Sequence, residues 1–159
     1  MAKVTLLCGK VGSGKTYYAN KLKVKLSAVI LSCDELILKL FDSCLGDKHD
    51  QTVDKCLDYL FGLAVQLYES DTSSILDIGL WTKAERARAL SYFADRGIPC
   101  ELIYIRTSEN LRLERLRQRN NENAKTPERT FIIDDELRIY LDSKFQEPSE
   151  GETYTIVEN

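Results

Sequence analysis

VTLLC, Val4 to Cys8, runs straight into GKVGSGKT, Gly9 to Thr16, and this junction decides how the chain is read. The second piece satisfies G-x-x-x-x-G-K-[ST], the phosphate-binding loop pattern. Its flanks supply the required context, an apolar strand before it and a helix after it. Gly9, Gly12 and Gly14 let the backbone curl so that successive N–H groups converge on an anion, where a Cβ would strain the turn or block approach. The segment Gly9, Lys10, Val11, Gly12, Ser13, Gly14, Lys15 and Thr16 is therefore expected to cradle a nucleoside triphosphate. Lys15 supplies a mobile charge to the β and γ phosphates. Thr16 offers a hydroxyl to Mg²⁺, and the positive end of the following helix reinforces both.

Outward from this loop, helices and strands alternate. Lys3–Cys8 reads as a buried strand and Gly14–Leu26 as its helix, with Ala19, Leu22 and Leu26 at core spacing. Ala28–Leu31 is a short second strand. Ser32 and Glu35 then stand in capping-box spacing, and Asp34 falls in the first turn of the helix they open. Apolar positions from Asp50 to Glu69 predict a second, longer helix with no strand between, a helical excursion over 41–70. Ser74–Ile78 is a third strand, and Thr82 and Glu85 form another capping box, opening a helix that ends at Gly97. Glu101–Ile105 is a fourth strand, Ser108 caps a helix rich in Leu and Arg to about Asn121, and 120–130 reads as a polar loop. A helix over Asp134–Phe145 and a strand over Thr153–Val157 close the chain.

This alternation predicts an α/β protein with a mostly parallel sheet, helices on both faces and a ligand site beyond the carboxyl ends of the strands. The chain has 159 residues, 18.2 kDa, 43% of them hydrophobic, enough for one ordinary core, so a single domain over 1–159 is expected. A net charge of −3 leaves no global field drawing it to nucleic acid or an anionic membrane. Five cysteines, Cys8, Cys33, Cys44, Cys56 and Cys100, form no CxxC pair and read as reduced thiols of a cytoplasmic protein. The opening residues are too short for a signal peptide, and no apolar run approaches the ~20 residues of a membrane span.

Gly9–Thr16 after the first strand, Asp34 after the second, Asp77 at the end of the third and Arg106 after the fourth are expected to converge on the ligand edge. Asp77 ends the third strand, where it either joins Thr16 on the Mg²⁺ side or caps the turn into Gly79. Asp34 either orients and deprotonates an acceptor hydroxyl or merely complements a helix dipole, with Glu35 as a backup base. Arg112, Arg115 and Arg119 form one helical stripe, available to transition-state charge or to a solvated salt-bridge face, with Arg115 or Arg119 the favoured functional group. Arg86 and Arg88 read as surface or substrate-side groups. His49, the only histidine, reads as a solvent-facing loop residue. Trp81 either stacks on substrate or is buried, and Tyr17 and Tyr18 read as packing residues.

With LLCGKVGSGKT, SCDEL, ILDIGLWTKAERARA, LIYIRTSENLRLERLRQRN and FQEPSEGE quoted, the chain resembles the small P-loop kinase family of AAA-type ATP-binding proteins. These are relatives of polynucleotide 5′-kinases, chloramphenicol phosphotransferases and zeta-toxin kinases. The resemblance covers nearly the whole chain and implies a three-layer P-loop NTPase fold with five parallel strands in the order 2-3-1-4-5. It also implies ATP and Mg²⁺, catalytic roles for Lys15, Asp34, Arg115 and Arg119, metal contacts from Thr16 and Asp77, and a lid-like segment over 112–130. The acceptor is left open as a hydroxyl-bearing small molecule or nucleotide. A polynucleotide 5′-hydroxyl kinase, served by a local channel of Arg112, Arg115 and Arg119, and an ATP-binding regulatory module are the alternatives. Two features depart from the family pattern: the excursion after Phe41 and the lack of a recognisable adenine-binding signature.

Overall fold

A computed structural model describes residues 1–41, 46–125 and 131–159. Parts of the expected excursion and lid-like segment, 42–45 and 126–130, lie outside the described residues. Cys44 is among them.

The centre of the molecule is β1 (Val4–Cys8), every residue of it buried. A strand with two covered faces has no need to alternate apolar and polar positions, which is why VTLLC is nearly uniformly apolar. On one side β1 pairs in parallel with β3 (Ser74–Asp77), and β3 in turn with β2 (Val29–Ser32). On the other side it pairs in parallel with β4 (Cys100–Arg106), and β4 with β5 (Thr155–Glu158). The order is β2-β3-β1-β4-β5, as the resemblance implies.

Successive β1 residues feed opposite faces. Leu7 joins Ala19 of α1 (Lys15–Leu26), Ile75, Ile103 and Ile105 in one apolar cluster. Val4, Leu6 and Cys8 join a larger one with Ile37 of α2 (Cys33–Phe41), Cys56, Leu60, Phe61 and Ala64 of α3 (His49–Glu69), and Ala89 and Phe93 of α4 (Lys83–Ala94). The long helix expected as an excursion thus covers the sheet directly. A third cluster, Val11, Leu116 and Ile133 with Trp81, Phe131 and Leu141, joins the loop after β1 to α5 (Glu109–Asn123) and α6 (Asp135–Lys144).

Local signals hold unevenly. The Thr82 box is complete: Glu85 N–H donates to Thr82 Oγ1 at 3.2 Å and Thr82 N–H to Glu85 Oε2 at 2.8 Å. At Ser32 only one half forms, Glu35 N–H to Ser32 Oγ at 3.3 Å. Ser108 makes no side-chain cap, and α5 runs to Asn123, two residues past the expected end. Tyr18 packs on the core, but Tyr17 is 57% exposed with Lys21 Nζ 4.4 Å above its ring, because position 17 faces away from the sheet. Among the described residues no helix is long and apolar enough to cross a membrane.

Candidate phosphoryl-transfer site

Parallel pairing brings the carboxyl ends of the strands to one edge. Ser32 lies opposite Asp77 and Asp77 opposite Leu7, so the ends of β2, β3 and β1 are level. Asp34 follows the first, Asp77 closes the second, and the glycine-rich loop follows the third.

The loop has the left-handed glycines that its pattern requires, with φ of 79° at Gly12 and 93° at Gly14. Gly9 permits close approach as well: a Cβ there would fall 2.5 Å from the Ile105 carbonyl oxygen. Lys15 turns back over the loop, donating from Nζ to Gly9 O at 2.9 Å and Lys10 O at 3.1 Å, with the Trp81 ring 5.6 Å away. Trp81 is partly buried and meets Phe145 edge-on. Thr16 Oγ1 donates to Asp77 Oδ2 at 2.7 Å, so Asp77 faces the loop rather than only the turn into Gly79. A hydroxyl and a carboxylate, both hard oxygen donors, side by side at the start of α1 are a donor set that fits Mg²⁺.

Asp34 lies in the first turn of α2, within electrostatic reach of Asp77 and Lys15. Loss of solvation, and then the charge of Asp77, hold its carboxyl above the ordinary carboxylate range, opposed by Lys15, Arg119 and His49. Lys15 and Arg119 are each held below their ordinary values, chiefly by burial, and Asp34 opposes both shifts. Arg119 Nε is buried without a hydrogen-bond partner among the described residues. Asp34 and Lys15 thus link Asp77 and Arg119 into one electrostatic set.

The arginine stripe divides. Arg115 Nη1 lies 3.4 Å from Ser13 O, on the outer side of the loop. Arg112 is 1% exposed and is no part of an open channel, because its guanidinium is locked against Glu109, Asp142 and Val11 O. Arg86 corrects another expectation. It is fully buried and forks onto Glu152 through Nε at 2.7 Å and Nη2 at 3.0 Å. Arg88 is a surface group beside Asp54 and Asp58.

His49 is likewise misread as a solvent-facing loop residue. It starts α3, meets Phe131 edge-on at 6.1 Å between ring centroids, and carries a buried Nδ1 with no hydrogen-bond partner among the described residues. Thr107 and Asn159 carried no sequence signal, yet both donate to Ser13 O, at 2.8 and 3.0 Å. Nothing in local spacing could have found them, since they reach the loop from other strands.

A model of the AAA domain family matches residues 4–133, from the first core strand to the far stem of the segment after α5. The chain belongs to the AAA domain family. It is the small P-loop kinase family that the sequence resembles. No curated protein matches the chain. Solved structures share the fold of this AAA domain. The Mycobacterium tuberculosis APS kinase CysC, solved with AMPPNP and APS, is 22% identical with a TM-score of 0.70, covering 99% of this chain and 88% of that one. Chaetomium thermophilum Kti12, solved with ADP-AlF3, is 15% identical with a TM-score of 0.72, covering 98% and 88%. A gluconokinase from Sinorhizobium meliloti is 12% identical with a TM-score of 0.64, covering 99% and 82%.

Proposed function

We propose that this AAA domain is an ATP-dependent kinase that transfers the γ-phosphoryl group to a hydroxyl of a small molecule or nucleotide. One arrangement carries the reading: Asp34, at the start of α2, lies within electrostatic reach of the loop lysine, of Asp77 hydrogen-bonded to Thr16, and of Arg119, whose Nε is buried without a hydrogen-bond partner among the described residues. A bare phosphate-binding module needs only the loop. A transferase also needs a group to receive the acceptor's proton and a cation for the charge on the transferred phosphoryl.

The acceptor oxygen bonds to the γ-phosphorus as the bond to the β,γ-bridging oxygen breaks. ADP leaves, and the hydroxyl proton passes to Asp34. Lys15 moves from Gly9 O and Lys10 O to phosphate oxygens. Arg119 supplies charge on the acceptor side, and Arg115 holds the loop from behind. Thr16 and Asp77 would hold Mg²⁺, which lowers the charge barrier to attack on the triphosphate. The APS kinase, solved with AMPPNP and APS, and the gluconokinase share this fold, in keeping with a small acceptor here. The arginine channel on which the polynucleotide alternative relied loses Arg112 to its buried ion pairs.

The test is a labelled-ATP screen over sugars, antibiotics, nucleosides and 5′-hydroxyl oligonucleotides, run beside Asp34→Asn. The expected result is a new phosphorylated product whose formation falls by about 10²-fold or more in the variant, with ATP affinity kept. Equal turnover in the two proteins would refute the role of Asp34. ATP binding with no product from any acceptor class would refute the kinase.

A further inference from the structure

Arg112 has five N–H groups, and all five are engaged. Nε donates to Glu109 Oε2 at 3.2 Å and Nη2 to Glu109 Oε1 at 2.7 Å. Nη2 also donates to Asp142 Oδ2 at 2.6 Å, and Nη1 to Asp142 Oδ1 at 3.0 Å. The last N–H, on Nη1, goes to the carbonyl oxygen of Val11 at 3.0 Å, in the middle of the phosphate-binding loop. A buried guanidinium neutralised by two carboxylates is held rigidly, because leaving any of its donors unmet in a desolvated place is costly.

That last contact falls on a consequential atom. In a trans peptide the C=O and the next N–H lie in one plane and point in opposite directions across the C–N bond. Fixing Val11 O toward α5 therefore turns the Gly12 N–H away from α5, toward the interior of the loop. Gly12 is pressed onto the same helix: a Cβ there would lie 2.8 Å from Leu116 Cγ and 3.0 Å from Arg112 Cγ. The next peptide but one is treated alike. Ser13 O accepts from Thr107 Oγ1 at 2.8 Å, from Asn159 Nδ2 at 3.0 Å and from Arg115 Nη1 at 3.4 Å, which turns the Gly14 N–H the other way. Two alternate carbonyls are pulled outward, and the N–H that follows each, that of Gly12 and that of Gly14, points the opposite way.

We propose that Arg112 is a positioning residue for nucleotide binding, anchored by Asp142 of α6, which pre-aligns the Val11–Gly12 peptide so that the Gly12 N–H meets phosphate. This rests on the nucleotide-binding reading of the loop but not on the identity of any acceptor. It gives α6 a direct influence on triphosphate affinity although no residue of α6 belongs to the loop. The guanidinium itself, with every donor engaged, does not touch phosphate.

The experiment measures the affinity of full-length protein for AMPPNP with Mg²⁺, and for inorganic tripolyphosphate, in wild type, Arg112→Met, Arg112→Lys and Asp142→Asn. All are assayed well below the melting temperature of each protein. Arg112→Met should weaken both ligands by about tenfold or more, since the defect lies in the phosphate cradle. Arg112→Lys, which can still reach one carbonyl, should recover part of the loss. The ligand-induced shift of the Gly12 amide NMR signal should shrink in the same order. Should Arg112→Met fail to fold, Asp142→Asn carries the test, with a smaller loss in the same direction. Wild-type affinity in Asp142→Asn and in any folded Arg112 variant, whatever their melting temperatures, would overturn the inference. Absence of AMPPNP binding by the wild type would overturn the nucleotide reading and the inference with it.

Discussion

Asp34 sits in a place that suits chemistry better than stability. Its folded-state pKa is raised, first by loss of solvation and then by Asp77, so the native state holds a proton more tightly than the unfolded chain does. By linkage, the contribution of Asp34 to stability is fully present below the unfolded value of 3.8 and is lost as pH rises through the raised folded value. Asp34→Asn removes that ionisation and should raise the melting temperature of the nucleotide-free protein at neutral pH, by about 1 °C at most because the residue keeps contact with solvent. The gain over wild type should vanish in acid, and a thermal melt series from pH 3 to 8 checks both. Phosphoryl transfer should show the complementary profile, with an acid limb above the ordinary carboxylate range, because a base must be ionised to accept a proton. A variant as unstable as wild type at every pH would mean that the Asp34 environment is not desolvated.

At the scale of elements, two side chains do what backbone usually does. Thr82 and Glu85 close the first turn of α4 reciprocally, each satisfying an N–H that the helix leaves unpaired. Thr82→Ala should lower stability by about 1 kcal/mol with little effect on nucleotide affinity, measured by denaturant unfolding and by AMPPNP titration. Asn120, near the end of α5, takes both backbone groups of Ile133, donating to its carbonyl at 2.6 Å and accepting from its N–H at 3.2 Å. That pair fixes the two stems of the segment beyond α5 to one another, so Arg119 enters the cleft from a clamped base. A loss well above that, with a changed denaturant slope, would mean that the cap supports packing beyond the first turn of α4.

For the whole molecule, the stretch Phe145–Glu152 acts as a strap over the start of α4 and the end of β4. Gln146 N–H donates to Trp81 O, Lys83 N–H to Gln146 Oε1, and Tyr104 Oη to Glu147. Its last anchor is Glu152, 8% exposed, paired with the fully buried Arg86. The hydrogen bonds from Arg86 hold the Glu152 carboxyl below its ordinary value. That contribution to stability is therefore present above the unfolded value of 4.5 and is lost as pH falls through the lowered folded one. Glu152→Ala leaves a buried guanidinium without its counter-charge and should cost roughly 3 kcal/mol at pH 7. The gap to wild type should narrow as the solution is acidified below 4.5. A gap independent of pH in denaturant unfolding would mean that lost packing, not the ion pair, sets the cost.

How much of this was legible beforehand depends on whether the information is local. The strand, turn and helix around Gly9–Thr16, the alternation that makes the sheet parallel, and the Thr82 capping box are written in short-range spacing, because φ restrictions, side-chain periodicity and cap hydrogen bonds act within a few residues. Those determined the fold class and the position of the phosphate-binding loop. Spacing could not tell Arg112, Arg115 and Arg119 apart, since one helical stripe offers three equivalent cations. Only tertiary packing buried the first against two carboxylates, gave the second a loop carbonyl, and left the third a nitrogen near Asp34 without a partner among the described residues. Arg86 and His49 were misjudged for the same reason: whether a charged or polar side chain is solvated or buried is decided by what distant chain segments bring to it, here Glu152 and Phe131.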